Sequence, residues 1–402
     1  MNKLYACYCR GYQAAFRVAT KVLDWTGPRL IQGAGSVKKL PSVIKADKID
    51  KVLIVTDKVL HGLGLLDGLK AGLEEKGIDY VVYDGTQPNP TIPNIEEARQ
   101  MYLDNNCKAV VAFGGGSSMD CAKAAAARVA LPNKSIPQMR GVLKVRAKLP
   151  MLYAIPTTAG TGSETTIAAV VVNPDTHEKY AINDICLRPK YAILDPELTV
   201  GLPPHITSTT GMDALTHAVE AFIGQSNTQQ TTAAAEKAIP MIFANLETCY
   251  HEPKNLEARG NMLTASFYAG IAFTQAYVGY VHAIAHNLGG FYNVPHGLAN
   301  AIILPYVLRF YGESVYDKLG YLAELAGLDV AGKTREEKAN LFIDEIDAMN
   351  QRMNIPKGFD CIKEEDIQTI AERAMLEGNP LYPVPKLMDV EQCKELIHAM
   401  ML

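Results

Sequence analysis

Short apolar runs alternate with helical segments between residues 51 and 155, and this alternation limits the fold more than any other feature. The runs typical of buried parallel strands are 51–56 (KVLIVT), 79–83, 109–113 (AVVAF) and 151–155 (MLYAI). The helices predicted between them are 62–76, 95–105 and 120–129. Strands that alternate with helices predict a mostly parallel, doubly wound sheet, so we expect a Rossmann-like α/β domain.

The pattern changes near residue 200, after a linker rich in glycine and proline (Gly201-Leu202-Pro203-Pro204-His205). Beyond it, every periodic segment is typical of a helix. These helices are predicted at 205–224, 228–250, 255–276, 280–291, 297–312, 314–326, 334–353, 364–375 and 389–400. We therefore predict an N-terminal extension at 1–26, an α/β domain at 27–200 and an all-α domain at 201–402.

Charge and cysteine content exclude several classes of function. The 402-residue chain has a formal net charge of −4, which gives no electrostatic basis for nucleic-acid binding. Its eight cysteines include no Cys-x2-Cys pair, which favours reduced thiols in the cytoplasm over a disulfide framework or a zinc ribbon. The chain has no run of eighteen apolar residues, so we predict no transmembrane segment.

The N-terminal extension has the pattern of a basic amphipathic helix, with no acid in residues 1–23. Lys3, Arg10, Arg17 and Lys21 fall in one narrow band of a helical wheel. The apolar side carries Leu4, Tyr5, Tyr8, Tyr12, Phe16, Val18, Val22 and Leu23. Such a helix can pack on its own protein or on another subunit, and it can also dock to a partner, a shell or a membrane surface.

One carboxylate and several imidazoles have the spacing of metal ligands. Asp213 and His217 are four residues apart, as are His282 and His286, so each pair shares one face of a helix. His296 follows, between a proline and a glycine. Such ligands suit iron, zinc or nickel better than magnesium or calcium. The spacing leaves open which of the last three histidines is not a ligand and could relay a proton.

A glycine-rich turn, Gly114-Gly115-Gly116-Ser117, follows the strand at 109–113. Glycines let a phosphate approach the backbone, and the following helix offers free N–H groups, although the turn lacks the G-x-G-x-x-G fingerprint. Asp57 ends an earlier strand, where it can bind a ribose hydroxyl or serve only as a helix N-cap. A second loop of small residues, at 157–162, is expected at the same carboxyl edge of the sheet.

A nucleotide on the first domain and a metal on the second predict an oxidoreductase whose site lies in a cleft between domains. A divalent metal with an open position can act as a Lewis acid on an alcohol oxygen. The carbinol hydride can then pass to C4 of a nicotinamide, and the reverse reaction reduces an aldehyde.

Four motifs resemble those of the iron-containing (group III) alcohol dehydrogenase family, and are especially similar to its lactaldehyde reductases and 1,3-propanediol dehydrogenases. They are GGGS-x2-D at 114–120, PTTAGTGSE at 156–164, GMDALTHAVE at 211–220 and VHAIAHNLGGFYNVPHGLANAIILP at 281–305. The resemblance covers about residues 27–400. It implies the dehydroquinate synthase-like architecture of an NAD-binding α/β domain followed by an all-α, metal-binding domain.

The resemblance also implies roles for individual residues. The metal ligands would be Asp213, His217, His282 and His296, with Fe2+ expected and Zn2+ or another divalent metal as the alternative. His286 would remain unligated, as a catalytic candidate in the proton path. The cofactor contacts would come from Asp57, Asn89, Gly115, Gly116, Ser117, Asp120, Thr157, Thr158, Thr161 and Lys179. An acid at position 57 favours NAD over NADP, because it repels a 2′-phosphate.

The function implied is an NAD(H)-dependent alcohol dehydrogenase, or aldehyde reductase, that acts on a small primary alcohol or diol in fermentation as a homodimer or larger homo-oligomer. Alternatives are a glycerol- or polyol-dehydrogenase type, a dehydroquinate synthase-like metalloenzyme, and a shell- or membrane-docked form of the alcohol dehydrogenase. The Asp-x3-His pair favours the alcohol dehydrogenase. The chain departs from the family in its N-terminal extension and in Asn379-Pro380-Leu381, where many relatives carry Asn-Pro-Arg.

Overall fold

The computed structural model describes residues 2–19, 23–176 and 178–402. The chain divides into two compact units. An α/β unit contains residues 24–201 and 254–264, and a helical unit contains residues 202–253, 265–402 and the N-terminal part up to Leu23. Residues 254–264 thus cluster with the α/β unit, although a single boundary near residue 200 was predicted from the sequence.

The α/β unit contains two sheets. Its strands are β1 (Arg29–Gln32), β2 (Lys51–Val55), β3 (Asp79–Tyr83), β4 (Ala109–Gly114), β5 (Gly141–Val142), β6 (Met151–Pro156), β7 (Ala168–Asn173), β8 (Glu178–Asn183) and β9 (Tyr191–Leu194). The larger sheet has the order β1-β9-β6-β4-β2-β3, and its strand pairs are all parallel. The predicted doubly wound fold is therefore confirmed.

Alternate residues of the central strands enter the cores on the two faces of the large sheet. Leu53 and Val55 belong to one apolar cluster, whereas Val52 and Ile54 belong to the other. Because both faces are buried, these strands read as continuous apolar runs, which is why the sequence identified them.

The helices of the α/β unit are α2 (Leu40–Ala46), α3 (Lys58–Gly62), α4 (Asp67–Glu75), α5 (Ile92–Asp104) and α6 (Gly116–Ala130). The single helix predicted at 62–76 is wrong, because the segment is divided between α3 and α4. Gly64 lies between them with a φ of 70°, in the left-handed region that ends a helix and favours glycine.

The small sheet, in the order β5-β8-β7, was not predicted, and neither were β1 and β9. β7 and β8 pair as an antiparallel hairpin. In these strands, buried residues are mixed with half-buried ones, so no strong apolar run marks them in the sequence.

The helical unit is built from helices that lie close to the predicted bounds. They are α1 (Lys3–Ala19), α7 (Pro204–Ile223), α8 (Gln229–His251), α9 (Leu256–Ala276), α10 (Tyr280–Tyr292), α11 (His296–Tyr311), α12 (Tyr316–Leu325), α13 (Arg335–Arg352), α14 (Glu364–Gly378) and α15 (Val390–Ala399), with the first residues of α9 clustering in the α/β unit. No helix in the described part of the chain combines the length and apolar character that crossing a membrane requires.

Helix α1 packs on its own unit through its basic side. Arg10 donates hydrogen bonds to the carbonyl oxygens of Val384 and Pro385, and Arg17 donates to that of Gln225. The apolar side, with Leu4, Tyr5, Tyr8, Tyr12 and Val18, is exposed. Two further residues of the predicted wheel, Lys21 and Val22, lie outside the described residues.

Candidate metal centre and cofactor site

Three helices bring the predicted metal ligands together. Asp213 and His217 lie one turn apart on α7, His282 lies on α10, and His296 is the first residue of α11. Gly297 lets α11 approach α7 closely, since a Cβ there would lie 2.4 Å from the carbonyl oxygen of Thr209. A glycine in this motif therefore serves helix packing, which in turn sets the position of His296.

The ligand atoms of Asp213, His217, His282 and His296 all lie within 4.8 Å of one another. Oδ1 of Asp213 is 3.5 Å from Nε2 of His296 and 4.0 Å from Nε2 of His282. All but His296 are buried. Burial, together with the neighbouring histidines, lowers the pKa of His282 well below its usual value, so this imidazole is neutral and can bind a metal.

Glu220 fixes the orientation of the His282 ring. Its Oε2 lies 2.7 Å from Nδ1 of His282 and accepts a hydrogen bond from the backbone N–H of Gly279. Its Oε1 accepts from the N–H of Val281. Burial raises the pKa of Glu220 to about 8, and the backbone donors act in the opposite direction. A carboxylate on Nδ1 leaves Nε2 free to bind a metal.

Asn300 lies one turn after His296 and is fully buried. Its Nδ2 donates to Oδ1 of Asp213 at 2.6 Å and lies 3.1 Å from Nε2 of His282. An amide nitrogen has no lone pair to offer, so it contacts Nε2 of His282 as a donor, and the ring proton lies on Nδ1. The side-chain oxygen of Asn300 has no hydrogen-bond partner among the described residues.

This donor set fits a divalent metal. Gathering a buried carboxylate and several imidazoles in so small a volume is unfavourable, and a cation at their centre removes that cost. One oxygen and three nitrogens are typical ligands of iron or zinc. The amide nitrogen of Asn300 lies against Oδ1 of Asp213 and Nε2 of His282, so an ion bound there would replace these hydrogen bonds.

His286 lies beside this group but is not part of it. Its ring stacks on that of His296, with centroids 5.2 Å apart. Its Nδ1 lies 2.6 Å from Oε1 of Glu377, and the two side chains are 29% and 30% exposed. The arrangement leaves Nε2 of His286 available to a ligand.

The glycine-rich turn of the α/β unit is tightly packed at Gly114 and Gly116. Gly114 has a φ of 147°, and a Cβ there would lie 2.6 Å from Oγ of Ser118. A Cβ on Gly116 would lie 3.0 Å from Cγ2 of Thr161, and one on Gly115 would lie 3.5 Å from the side chain of Thr158. The turn and the loop at 157–162 are thus in direct contact.

Three of the predicted cofactor residues meet at the side of this turn. The backbone N–H of Asn89 donates to Oγ of Ser117, and Nζ of Lys179 donates to Oδ1 of Asn89 at 2.8 Å. Asn89 has a φ of 56°, a conformation that asparagine tolerates better than most residues. Thr157 is buried, and its N–H donates to the carbonyl oxygen of Gly114.

The two predicted acids take different positions. Asp57 caps α3, where its Oδ1 accepts hydrogen bonds from the N–H groups of Val59 and Leu60. Asp120 accepts hydrogen bonds from Oγ of Ser163 and from the N–H of Val170. Both oxygens of Asp120 are therefore engaged within the α/β unit.

A buried lysine, which we did not predict, holds the loop that follows Gly162. Nζ of Lys123 donates to the carbonyl oxygens of Ser163 and Ala168 and to the hydroxyls of Ser163 and Thr166. Burial lowers the pKa of Lys123 to about 8, raises that of Asp120 to about 6 and raises that of Glu164 to about 7. Oε1 of Glu164 has no hydrogen-bond partner in the described residues.

Other functional residues were also missed, for different reasons. Glu220 lies seven residues after Asp213 on the same helix face, so helical spacing could have identified it. Asn300 lies four residues after His296 and could have been found in the same way. Glu377 is 91 residues from His286 and carries no signal in the sequence.

Comparison with known proteins identifies the family. Residues 27–196 match the model for iron-containing alcohol dehydrogenase, and residues 207–401 match the model for the C-terminal part of the Fe-containing alcohol dehydrogenase family. The chain belongs to the iron-containing alcohol dehydrogenase family. The predicted NAD-dependent, metal-containing alcohol dehydrogenase is thereby confirmed.

Individual relatives agree with this assignment. The chain is 38% identical to the 1,3-propanediol dehydrogenase of Citrobacter freundii over 89% of this chain and 92% of the relative. It is 33% identical to the lactaldehyde reductase of Escherichia coli K12 over 91% and 96%. A crystal structure of sulfoacetaldehyde reductase from Bifidobacterium kashiwanohense in complex with NAD+ matches with a TM-score of 0.84 and 29% identity, covering 94% of this chain and 98% of that one.

Proposed function

We propose that this family member interconverts small primary alcohols or diols with their aldehydes, using NAD(H) and iron, with zinc or another divalent metal as the alternative. The observation that carries the proposal is the largely buried group of one carboxylate and three imidazoles. The three relatives compared above are named for 1,3-propanediol, lactaldehyde and sulfoacetaldehyde, which are all small compounds.

We assign the metal to Asp213, His217, His282 and His296. When bound, the metal supplies Lewis acidity toward an alcohol or carbonyl oxygen, and the nicotinamide supplies the hydride chemistry. Glu220 keeps Nε2 of His282 turned toward the other ligand atoms, which supports the assignment.

We assign His286 to proton transfer. Its Nδ1 is engaged by Glu377, so its Nε2 is the atom that takes up the proton released by an alcohol. Stacking on His296 keeps the ring beside the metal ligands without making it one of them.

We propose that the cofactor is held by Asp57, Asn89, Gly115, Gly116, Ser117, Asp120, Thr157, Thr158, Thr161 and Lys179. Oδ1 of Asp57 caps α3, which leaves Oδ2 for a ribose hydroxyl.

Asp57→Asn keeps the helix cap, since asparagine caps as well as aspartate, but removes the charge that repels a 2′-phosphate. We expect a higher ratio of NADPH to NADH use in kcat/KM, with Asp67→Asn as the control; an unchanged ratio would contradict the ribose contact.

The experiment that tests the main proposal uses anaerobically purified protein. Metal content is measured first, and NADH oxidation is then followed with a panel of short aldehydes, with and without added ferrous iron. Nearly stoichiometric metal and iron-dependent turnover are expected. Metal without turnover on any aldehyde would favour a polyol dehydrogenase or a dehydroquinate synthase-like enzyme, and absence of metal under every loading condition would refute the ligand assignment.

We further propose that the protein is a cytoplasmic homodimer or larger homo-oligomer and that the exposed side of α1 contacts a subunit, another partner, a shell or a membrane surface. All eight cysteines are free thiols, which agrees with a reducing compartment. Leu4 and Tyr8 are 79% and 55% exposed, although large apolar side chains gain by burial.

The double substitution Leu4→Ser/Tyr8→Ser should alter the mass measured by light scattering or abolish sedimentation with vesicles or shells. Unchanged behaviour in all these assays would exclude docking by this face.

A further inference from the structure

The segment 381–385 follows α14 and is held by helix α1. The carbonyl oxygens of Val384 and Pro385 accept hydrogen bonds from Arg10 at 2.7 and 3.0 Å, and that of Tyr382 accepts from Nε2 of Gln13 at 2.7 Å. Gln13 is buried, although it lies on a surface helix. The arginine that bonds this segment comes from the N-terminal extension.

Tyr382 links this segment to Glu377. Its hydroxyl donates a hydrogen bond to Oε1 of Glu377 at 2.8 Å. Burial and the nearby carboxylate raise the pKa of Tyr382 well above its ordinary value, so the hydroxyl keeps its proton and remains a donor. The backbone of one residue is thus bound by α1, while its side chain binds the carboxylate that contacts His286.

Glu377 lies in the last turn of α14, where a negative charge opposes the helix dipole. Its place there is therefore not explained by helix stability. Its Oε1 accepts from Tyr382 and lies 2.6 Å from Nδ1 of His286. A carboxylate held by a second donor has less freedom to rotate, so it fixes both the ring orientation and the tautomer of the histidine it binds.

We propose that α1 is part of the active-site scaffold: Arg10 and Gln13 fix the segment 381–385, Tyr382 then fixes Glu377, and Glu377 orients His286 for proton transfer. Tyr382 and Glu377 are thus positioning residues. The inference depends on the proposed role of His286. It gives the N-terminal extension, which precedes the part of the chain that matches the family model, a task in turnover beyond any docking by its exposed side.

Three variants, each measured in the full-length, iron-loaded enzyme, test the chain of contacts. Glu377→Gln should lower kcat roughly 10- to 100-fold, as losses of groups that orient a ligand or base commonly do. Tyr382→Phe should lower kcat about fivefold, the scale of one ordinary lost hydrogen bond. Gln13→Leu should have the smallest effect on kcat, about twofold, because Gln13 contacts only the backbone of Tyr382 and not Glu377. KM for the aldehyde and metal content should stay unchanged in all three.

The matched control is Tyr292→Phe, because Tyr292 also donates to a carboxylate, Oδ2 of Asp366, and lies on the same helix as His286. It should leave kcat unchanged. The solvent deuterium isotope effect on kcat should rise in Tyr382→Phe and Glu377→Gln, since proton transfer becomes slower, and should not rise in the control. If Tyr382 and Glu377 had only a structural role, their variants would lose metal or thermal stability, and the isotope effect would not rise.

An unchanged kcat in both Tyr382→Phe and Glu377→Gln would overturn the inference, and so would a loss of rate that the control shares. If the wild-type enzyme reduces no aldehyde, the proposed function fails instead, and the contacts are then tested directly by nitrogen NMR of histidine-labelled, metal-free protein. The Nδ1–H of His286 should exchange with solvent faster in Tyr382→Phe than in wild type. Equal exchange rates would refute the contact chain independently of activity.

Discussion

The metal centre and the glycine-rich turn reach their geometry in opposite ways. At the metal centre, polar side chains from three helices converge on a small volume. At the turn, the absence of side chains at Gly114 and Gly116 lets Ser118 and Thr161 approach the backbone. The first region depends on which chemical groups are present, whereas the second depends on which atoms are missing.

The two regions also differ in how they balance buried charge. The α/β unit supplies its own cation, because Lys123 lies among the buried Asp120 and Glu164. The metal centre gathers Asp213 and three imidazoles, and its donors fit a cation that comes from solution. A substitution at the metal centre should therefore remove chemistry outright, and one at the turn should give a graded loss of fit.

The largest effect is expected when a proposed metal ligand is removed. His282→Ala should lose the metal and lower turnover about 10³-fold or more, because the Lewis acid supplies several kcal/mol of stabilisation. Metal analysis of the purified variant, followed by an assay with added ferrous iron, measures both quantities. His398→Ala removes an exposed histidine that pairs with Glu364 and should change neither one. Full metal content in His282→Ala would exclude His282 as a ligand.

The next largest effect is expected when proton transfer is lost and the metal is retained. His286→Ala should keep the metal and lower kcat about 10²- to 10⁴-fold, the usual contribution of a general acid or base. Metal content and kcat, measured on the same preparation, distinguish it from His282→Ala. A variant that also loses the metal would show that His286 is a ligand and that the present assignment is wrong.

The comparison also explains what the sequence could predict. Helical spacing and residue chemistry are both local properties, so they could mark Asp213, His217, His282 and His286 as candidates, whereas only the family resemblance separated His286 from the ligands. The parallel strands were found because burial on both faces gives continuous apolar runs, whereas β7 and β8 pair with each other in half-buried positions that carry no such signal. Residues such as Glu377 and Lys123 act through contacts that depend on the three-dimensional packing, and spacing does not encode those.

A substitution in the glycine-rich turn should weaken only the binding of the cofactor. Gly116→Val places side-chain atoms where Thr161 already lies, and overpacking of this kind costs about 1–3 kcal/mol, or roughly 5- to 150-fold in the Kd for NADH. NADH fluorescence titration gives the Kd, and metal analysis should show no change. Gly68→Ala, at an open position on α4, is the control. Tight NADH binding by Gly116→Val would mean that the cofactor does not use this turn.

The smallest effect concerns the buried charges beside the loop that we propose binds the cofactor. Burial raises the folded-state pKa of Glu164 to about 7, above the value of about 4.5 expected in the unfolded chain, so keeping this group ionised destabilises the fold. The cost is fully present above pH 7 and disappears as the pH falls toward the unfolded value. Glu164→Gln should therefore raise the melting temperature at pH 8 by a few degrees, about what removal of 1–2 kcal/mol gives in a protein of this size, and should have a much smaller effect at pH 5. An equal shift at both pH values would mean that packing, and not ionisation, sets the difference. The metal content should be the same in the variant and the wild type. A difference between their melting temperatures then comes from the charge balance within the α/β unit.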